Sequence, residues 1–134
     1  MRPLAFALLL IPSFAVQASP DKPTDAELDD WMTFLRSISL PITTEVCAPL
    51  LAEKGDYAGV AAKWLDAHQA EISRGREFAK AGLPKDRDFD QYHANMAADF
   101  KQKLLAKPEA TQLAICTDSL NALQKGIAHG GNGR

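Results

Sequence analysis

Valine occurs only twice after Ala18, at Val46 and Val60, in a chain of 134 residues. Strands draw on Val, Ile, Thr and aromatic side chains repeating with a period of two, because a pleated surface seats branched side chains well. No stretch of this chain alternates in that way. Ala, Leu, Lys, Gln and Glu abound instead, and these residues lose little side-chain freedom in a helix. The expectation is an all-α protein, an antiparallel bundle of four to five helices around one core.

The helix boundaries can be read from caps and breakers. Thr24-Asp25-Ala26-Glu27 has the form of a capping box. The helix it opens should run to about Ser39, with Leu28, Trp31, Met32, Phe34, Leu35 and Ile38 on one broad face. Pro41 is expected to end it, because the residue before a proline is driven out of the helical region. A short second helix, capped by Thr43 or Thr44 with Pro49 in or near its first turn, should end at Gly55 and turn Val46, Cys47 and Leu50 inward. Asp56 opens a long third helix from Tyr57 to about Ala81, with a left-handed Gly82 as its stop before Pro84. Gly75 falls on the apolar side of that helix, where a neighbouring helix can approach closely. Asp88 caps a fourth helix through Leu105. Pro108 begins a fifth, whose seam Leu113, Cys116, Leu120, Leu123 and Ile127 faces the core, and Gly126 marks its fraying end. Residues 19–127 form a single domain, and residues 128–134 read as a flexible Gly-rich tail.

Residues 1–18 have the layout of a cleaved signal peptide. Arg2 is followed by the apolar run Leu4 to Val16, and Val16 and Ala18 are the small residues before a cut near Ala18-Ser19. The run is shorter than the roughly 20 residues that span a bilayer, and no later run approaches that length. The absence of a Cys at the cut argues against a lipid anchor. The expected location is therefore periplasmic or secreted, where disulfides persist. Two cysteines, Cys47 and Cys116, lie on inward faces, and their pairing would close a loop of about 70 residues. After Ala18 the chain carries fourteen basic and seventeen acidic residues, a formal charge of −3 with mixed signs. That excludes the basic face of a nucleic-acid binder, and no nucleic-acid partner is expected.

Chemistry is sparse. No nucleophile elbow and no clustered Ser/His/Asp set occurs, so no catalytic residue is assigned and the chain reads as a non-enzyme. Asp86-x-Asp88-x-Asp90 copies the opening of a calcium loop but fails at its sixth and twelfth positions, Gln91 and Ala97, leaving helix-start acids that favour the dipole. His68 and His93 fall on apolar faces, with Glu71 one turn from His68. Their axial offset across a helix hairpin, roughly 15 Å at 1.5 Å per residue, is too great for one zinc ion. Each histidine is expected to have a local partner, with His68 and Glu71 together a candidate polar anchor. Cys-x-x-Cys-His is missing, which excludes covalent haem; a Met32/His129 ligand pair would sit on a poor platform at the Gly-rich end. No cofactor or metal is expected.

The segments Val46-Cys47-Ala48 with Gly55-Asp56-Tyr57, and Ile115-Cys116-Thr117-Asp118 leading to Leu120 and Leu123, resemble small exported two-cysteine helical proteins of Gram-negative bacteria. The layout is similar to that of the immunity proteins of type VI secreted amidases, which implies binding and blocking of a cell-wall hydrolase. Size, helicity and a single disulfide are also similar to those of acid-stress periplasmic chaperones. The resemblance lies in layout, and no family residue transfers as a site. The resulting expectation is a soluble periplasmic protein that binds another envelope protein, as an inhibitor or immunity factor does. The alternatives are a stress chaperone and an uncharacterised ligand carrier or enzyme. Ile115, placed on the side of the fifth helix away from the core seam, is the expected partner contact.

Overall fold

The computed structural model describes residues 22–129. The export segment, its cut after Ala18 and residues 130–134 lie outside the described residues. Five helices make up the fold: α1 (Asp25–Leu50), α2 (Tyr57–Ala67), α3 (Gln69–Gly82), α4 (Phe89–Leu105) and α5 (Glu109–His129). No strand occurs among the described residues, as expected from the composition.

The expected first and second helices are one. α1 runs for 26 residues, about 39 Å at 1.5 Å per residue, with Pro41 and Pro49 inside it. Its start follows the capping box, in which Thr24 Oγ1 accepts from Glu27 N while Glu27 Oε2 accepts from Thr24 N. Pro41 removes one helical hydrogen bond and normally breaks a helix at a cost of about 3 kcal/mol. Here hydroxyls surround the lesion. Ser37 Oγ donates to Phe34 O, Ser39 Oγ to Arg36 O, and Thr43 Oγ1 to Ser39 O and Leu40 O. None of these bonds goes to Ser37 O, the carbonyl four residues before Pro41, so what holds the helix together here is burial of Phe34, Leu40, Thr43 and Cys47 along it.

The expected third helix is two. The backbone departs from helical values at His68 (φ −115°, ψ 19°), whose N–H is shared between Trp64 O and Leu65 O. No breaker residue marks this position. The bend lets α2 pack against α5 while α3 lies along the N-terminal half of α1. Gly75 sits at the α1–α3 crossing, where a Cβ atom would overlap the Asp30 carbonyl oxygen and lie 2.8 Å from Phe34 Cβ. Arg74 closes the same crossing with a fork onto Asp30 (2.7 and 3.0 Å), and this hydrogen bond raises the guanidinium above its usual pKa.

Gly82 is not a left-handed stop. It is the last residue of α3, and no residue with positive φ occurs among those described. The helix ends because Leu83 is extended (ψ 137°), the conformation that Pro84 imposes on its predecessor. Asp88 caps α4 as expected, accepting from Gln91 N at 2.7 Å. Pro108 immediately precedes α5, and Gln112 reaches back to donate to Lys107 O. Gly126 is not a fraying end: α5 continues to His129, so residues 128 and 129 belong to the domain rather than to a tail. Gly126 instead allows close approach of Trp64, since a Cβ there would lie 2.7 Å from the indole nitrogen.

The core centres on the C-terminal half of α1 with α2 and α5: Leu40, Cys47, Leu51, Tyr57, Ala61, Trp64, Cys116, Leu120 and Leu123. Cys47 and Cys116 are joined, with Cα atoms 5.3 Å apart and both residues fully buried. At the other end of α1, Phe34 stacks on Phe89 (5.9 Å) and meets the edge of His93 (5.2 Å). No described helix is long and apolar enough to cross a membrane.

Candidate functional site

The position of α4 creates the site. Its first turn lies beside Phe34, and Lys101 near its far end forms an ion pair with Glu45 of α1 (2.7 Å). α4 therefore runs parallel to α1 and rests on it, with only sparse backbone approaches to α3 and α5. α5 runs the other way, from Cys116 beside Cys47 toward Gly126 beside Trp64. Between α4 and α5 a strip of α1 is left without a helix over it.

That strip is the floor of an apolar groove. Met32, Leu35 and Ile38 of α1 meet Met96, Ala97 and Phe100 of α4 around a cavity of about 310 Å3. Arg36, Ser39 and Phe100 continue into a second cavity of about 290 Å3, walled on the other side by Ile115, Ser119 and Ala122 of α5. From Met32 to Thr43 the groove extends about 17 Å along the α1 axis. Leu35 and Met96 also border a smaller cavity of about 190 Å3 between α1, α3 and α4. Met32 is 59 % exposed, Tyr92 40 % and Met96 37 %, so large apolar side chains stand open along this face.

The hydroxyls of the lining are already bonded, that of Ser119 to the Tyr57 hydroxyl at 2.7 Å. The Ser39 and Thr43 hydroxyls donate to carbonyls of their own helix, so covering them strands no donor. Two charged side chains line the two cavities, Arg36 and Asp118. Neither forms an ion pair among the described residues. The Arg36 guanidinium lies 5.7 Å from the centre of the Trp64 ring, a cation–π contact with a side chain that is only 2 % exposed.

Ile115, expected to face solvent away from the core, is half-buried in this groove. It shares the cavity with Leu123 of the core seam, because α1 and α4 flank this side of α5. The two histidines are far from sharing a ligand, and each ring bonds one turn back. His68 Nδ1–H donates to Trp64 O and His93 Nδ1–H to Phe89 O, both at 2.8 Å, since a carbonyl only accepts. His68 also stacks on Trp64 at 4.3 Å. No hydrogen bond joins His68 to Glu71 among the described residues, so the proposed anchor does not form; Glu71 instead helps to hold the charge of Arg74. Asp88 serves as a cap and Asp90 approaches Arg76 at 3.3 Å, in keeping with helix-start acids. No group of three His, Cys, Asp or Glu side chains suited to a metal ion forms among the described residues. His129 Nδ1–H is engaged with Lys125 O.

Sequence reasoning missed the groove itself. Met32 reads as part of one broad apolar face of the first helix, which it shares with the buried Phe34. The available signal was width: six large apolar residues on the first turns of α1 are more than one neighbouring helix can cover. Comparison with protein-family models, curated proteins and solved structures finds no match to this chain.

Proposed function

We propose that this is an exported protein, freed of residues 1–18 and acting in the periplasm or outside the cell by binding another envelope protein, as an inhibitor or immunity factor does. The observation that carries the binding reading is the groove on α1 between α4 and α5, open, largely apolar and with its hydroxyls already bonded. A contiguous exposed apolar strip of this kind marks an interaction surface. The disulfide supports an oxidising compartment.

Affinity capture from an envelope extract, followed by purification of the captured protein, tests this reading. Wild-type protein should bind the purified partner, and Ile115→Asp should weaken binding by about 2 kcal/mol or more, the scale of an interface hot spot. Because Ile115 is half-buried, the same change should also lower stability by about 1 kcal/mol, so affinity and the unfolding midpoint must be measured separately. Retention of full affinity by a folded Ile115→Asp protein would place the interface elsewhere, with Asp86, Asp88 and Asp90 as the next surface to test.

A chaperone is the second reading, and one feature favours it. Met32 and Met96 flank the groove, and flexible thioether side chains repack around unlike partners. Suppression of aggregation for several unrelated unfolded proteins, each dependent on Met32 and Met96, would select it over a dedicated inhibitor.

A further inference from the structure

We infer that the groove takes an amphipathic helix of the partner, and that this helix presents a carboxylate to Arg36. The inference rests on the protein-binding reading above. Three helices form the groove, with α1 as floor and α4 and α5 as walls, and the free length of about 17 Å matches three turns of a fourth helix. The groove is open along one side, where Met32 is 59 % exposed. A helix fits that geometry because its apolar stripe can sit inside while its polar back stays in water. An acyl chain would leave one flank wet.

Arg36 sets the sign in the first cavity, because Asp118, the other charged lining residue, borders only the second. Arg36 borders both cavities and is the single cation among their lining residues. It has no acidic partner among the described residues. The guanidinium lies within cation–π range of the buried Trp64 ring, 5.7 Å from its centre, and none of its N–H groups is paired with an acid among the described residues.

The test uses the exported, disulfide-bonded protein and two fluorescein-labelled peptides of about five helical turns. Both carry Leu at helical spacing; one has Glu beside the stripe and the other has Lys at the same places. Fluorescence anisotropy should show saturable binding of the Glu peptide and binding at least about tenfold weaker of the Lys peptide, and Arg36→Glu should reverse that order. Arg36→Gln, which keeps the stem and loses the charge, should bring the two peptides close together. Circular dichroism and the thermal midpoint show whether each variant is folded.

Equal binding of both peptides by wild type, or a preference unchanged in folded Arg36→Gln, would overturn the inference. So would stoichiometric binding of decanoate with no binding of either peptide. A dimer in sedimentation that Met32→Asp dissolves would assign the groove to a second copy and overturn it likewise. If a purified partner is sensitive to Ile115→Asp but indifferent to Arg36→Glu, the acidic-helix inference fails while the protein-binding reading stands.

Discussion

Replacing Cys47 and Cys116 together with alanine should lower the stability of the folded protein by about 4 kcal/mol, because the bridge removes loop-closure entropy from the unfolded chain. The two cysteines are 69 residues apart in sequence, and nearly everything between them, α2 to α4, lies in the loop they close. Both residues are 0 % exposed, so alanine also leaves a small gap in the densest part of the core. For a domain of this size the thermal midpoint should fall on the order of 15 °C. Urea unfolding of the wild-type and double-alanine proteins measures the difference directly. A loss under about 1 kcal/mol would mean that the unfolded chain is already compact, or that native strain cancels the entropic gain. Because α5 supplies the Ile115 wall, the double variant should also bind a groove ligand more weakly, even under conditions where it is folded.

Gly75→Ala should destabilise by about 3 kcal/mol, the upper range for forcing an extra group into a packed contact. The sign makes this informative. Helix propensity alone favours Ala over a mid-helix Gly by about 1 kcal/mol. Here the added carbon would overlap the backbone oxygen of Asp30 and crowd Phe34 Cβ at 2.8 Å, so α1 and α3 must separate. Gly82→Ala is the internal control. Gly82 is also helical, and a Cβ there meets nothing within 4 Å, so this change should stabilise by up to about 1 kcal/mol. Denaturant midpoints for both variants check the pair. A stabilised Gly75→Ala protein would contradict the close crossing of α1 and α3.

Local chemistry wrote the helix starts into the sequence. Thr24, Asp56 and Asp88 were read as caps, and each accepts a first-turn N–H in the structure. The disulfide was legible too, since Cys47 and Cys116 both fell on inward seams. The ends and breaks were less so, because tertiary packing decided them. Pro41 reads as a terminator, yet the buried face of Phe34, Leu40, Thr43 and Cys47 carries the helix through. His68 reads as an ordinary helical residue, yet the chain bends there because α2 and α3 have different partners. Gly126 reads as a fraying end, yet the Trp64 ring needs its missing side chain. The groove depends on the same kind of fact. Whether α4 bridges to α5 or rests on α1 alone is set by Phe34, Phe89, His93 and the Lys101–Glu45 pair acting across the fold, and no periodicity along the chain encodes it.

The central claim is that the open face between α4 and α5 holds a protein partner in the envelope. Site-specific photocrosslinking in the exporting cell tests it most directly, with a photoreactive phenylalanine at Met96 in the groove wall or at Glu53, which is exposed in the α1–α2 connection. The expected result is one discrete adduct from position 96, weakened by Ile115→Asp in the same chain, and none from position 53. No adduct from position 96, or the same adduct from both positions, would contradict the account.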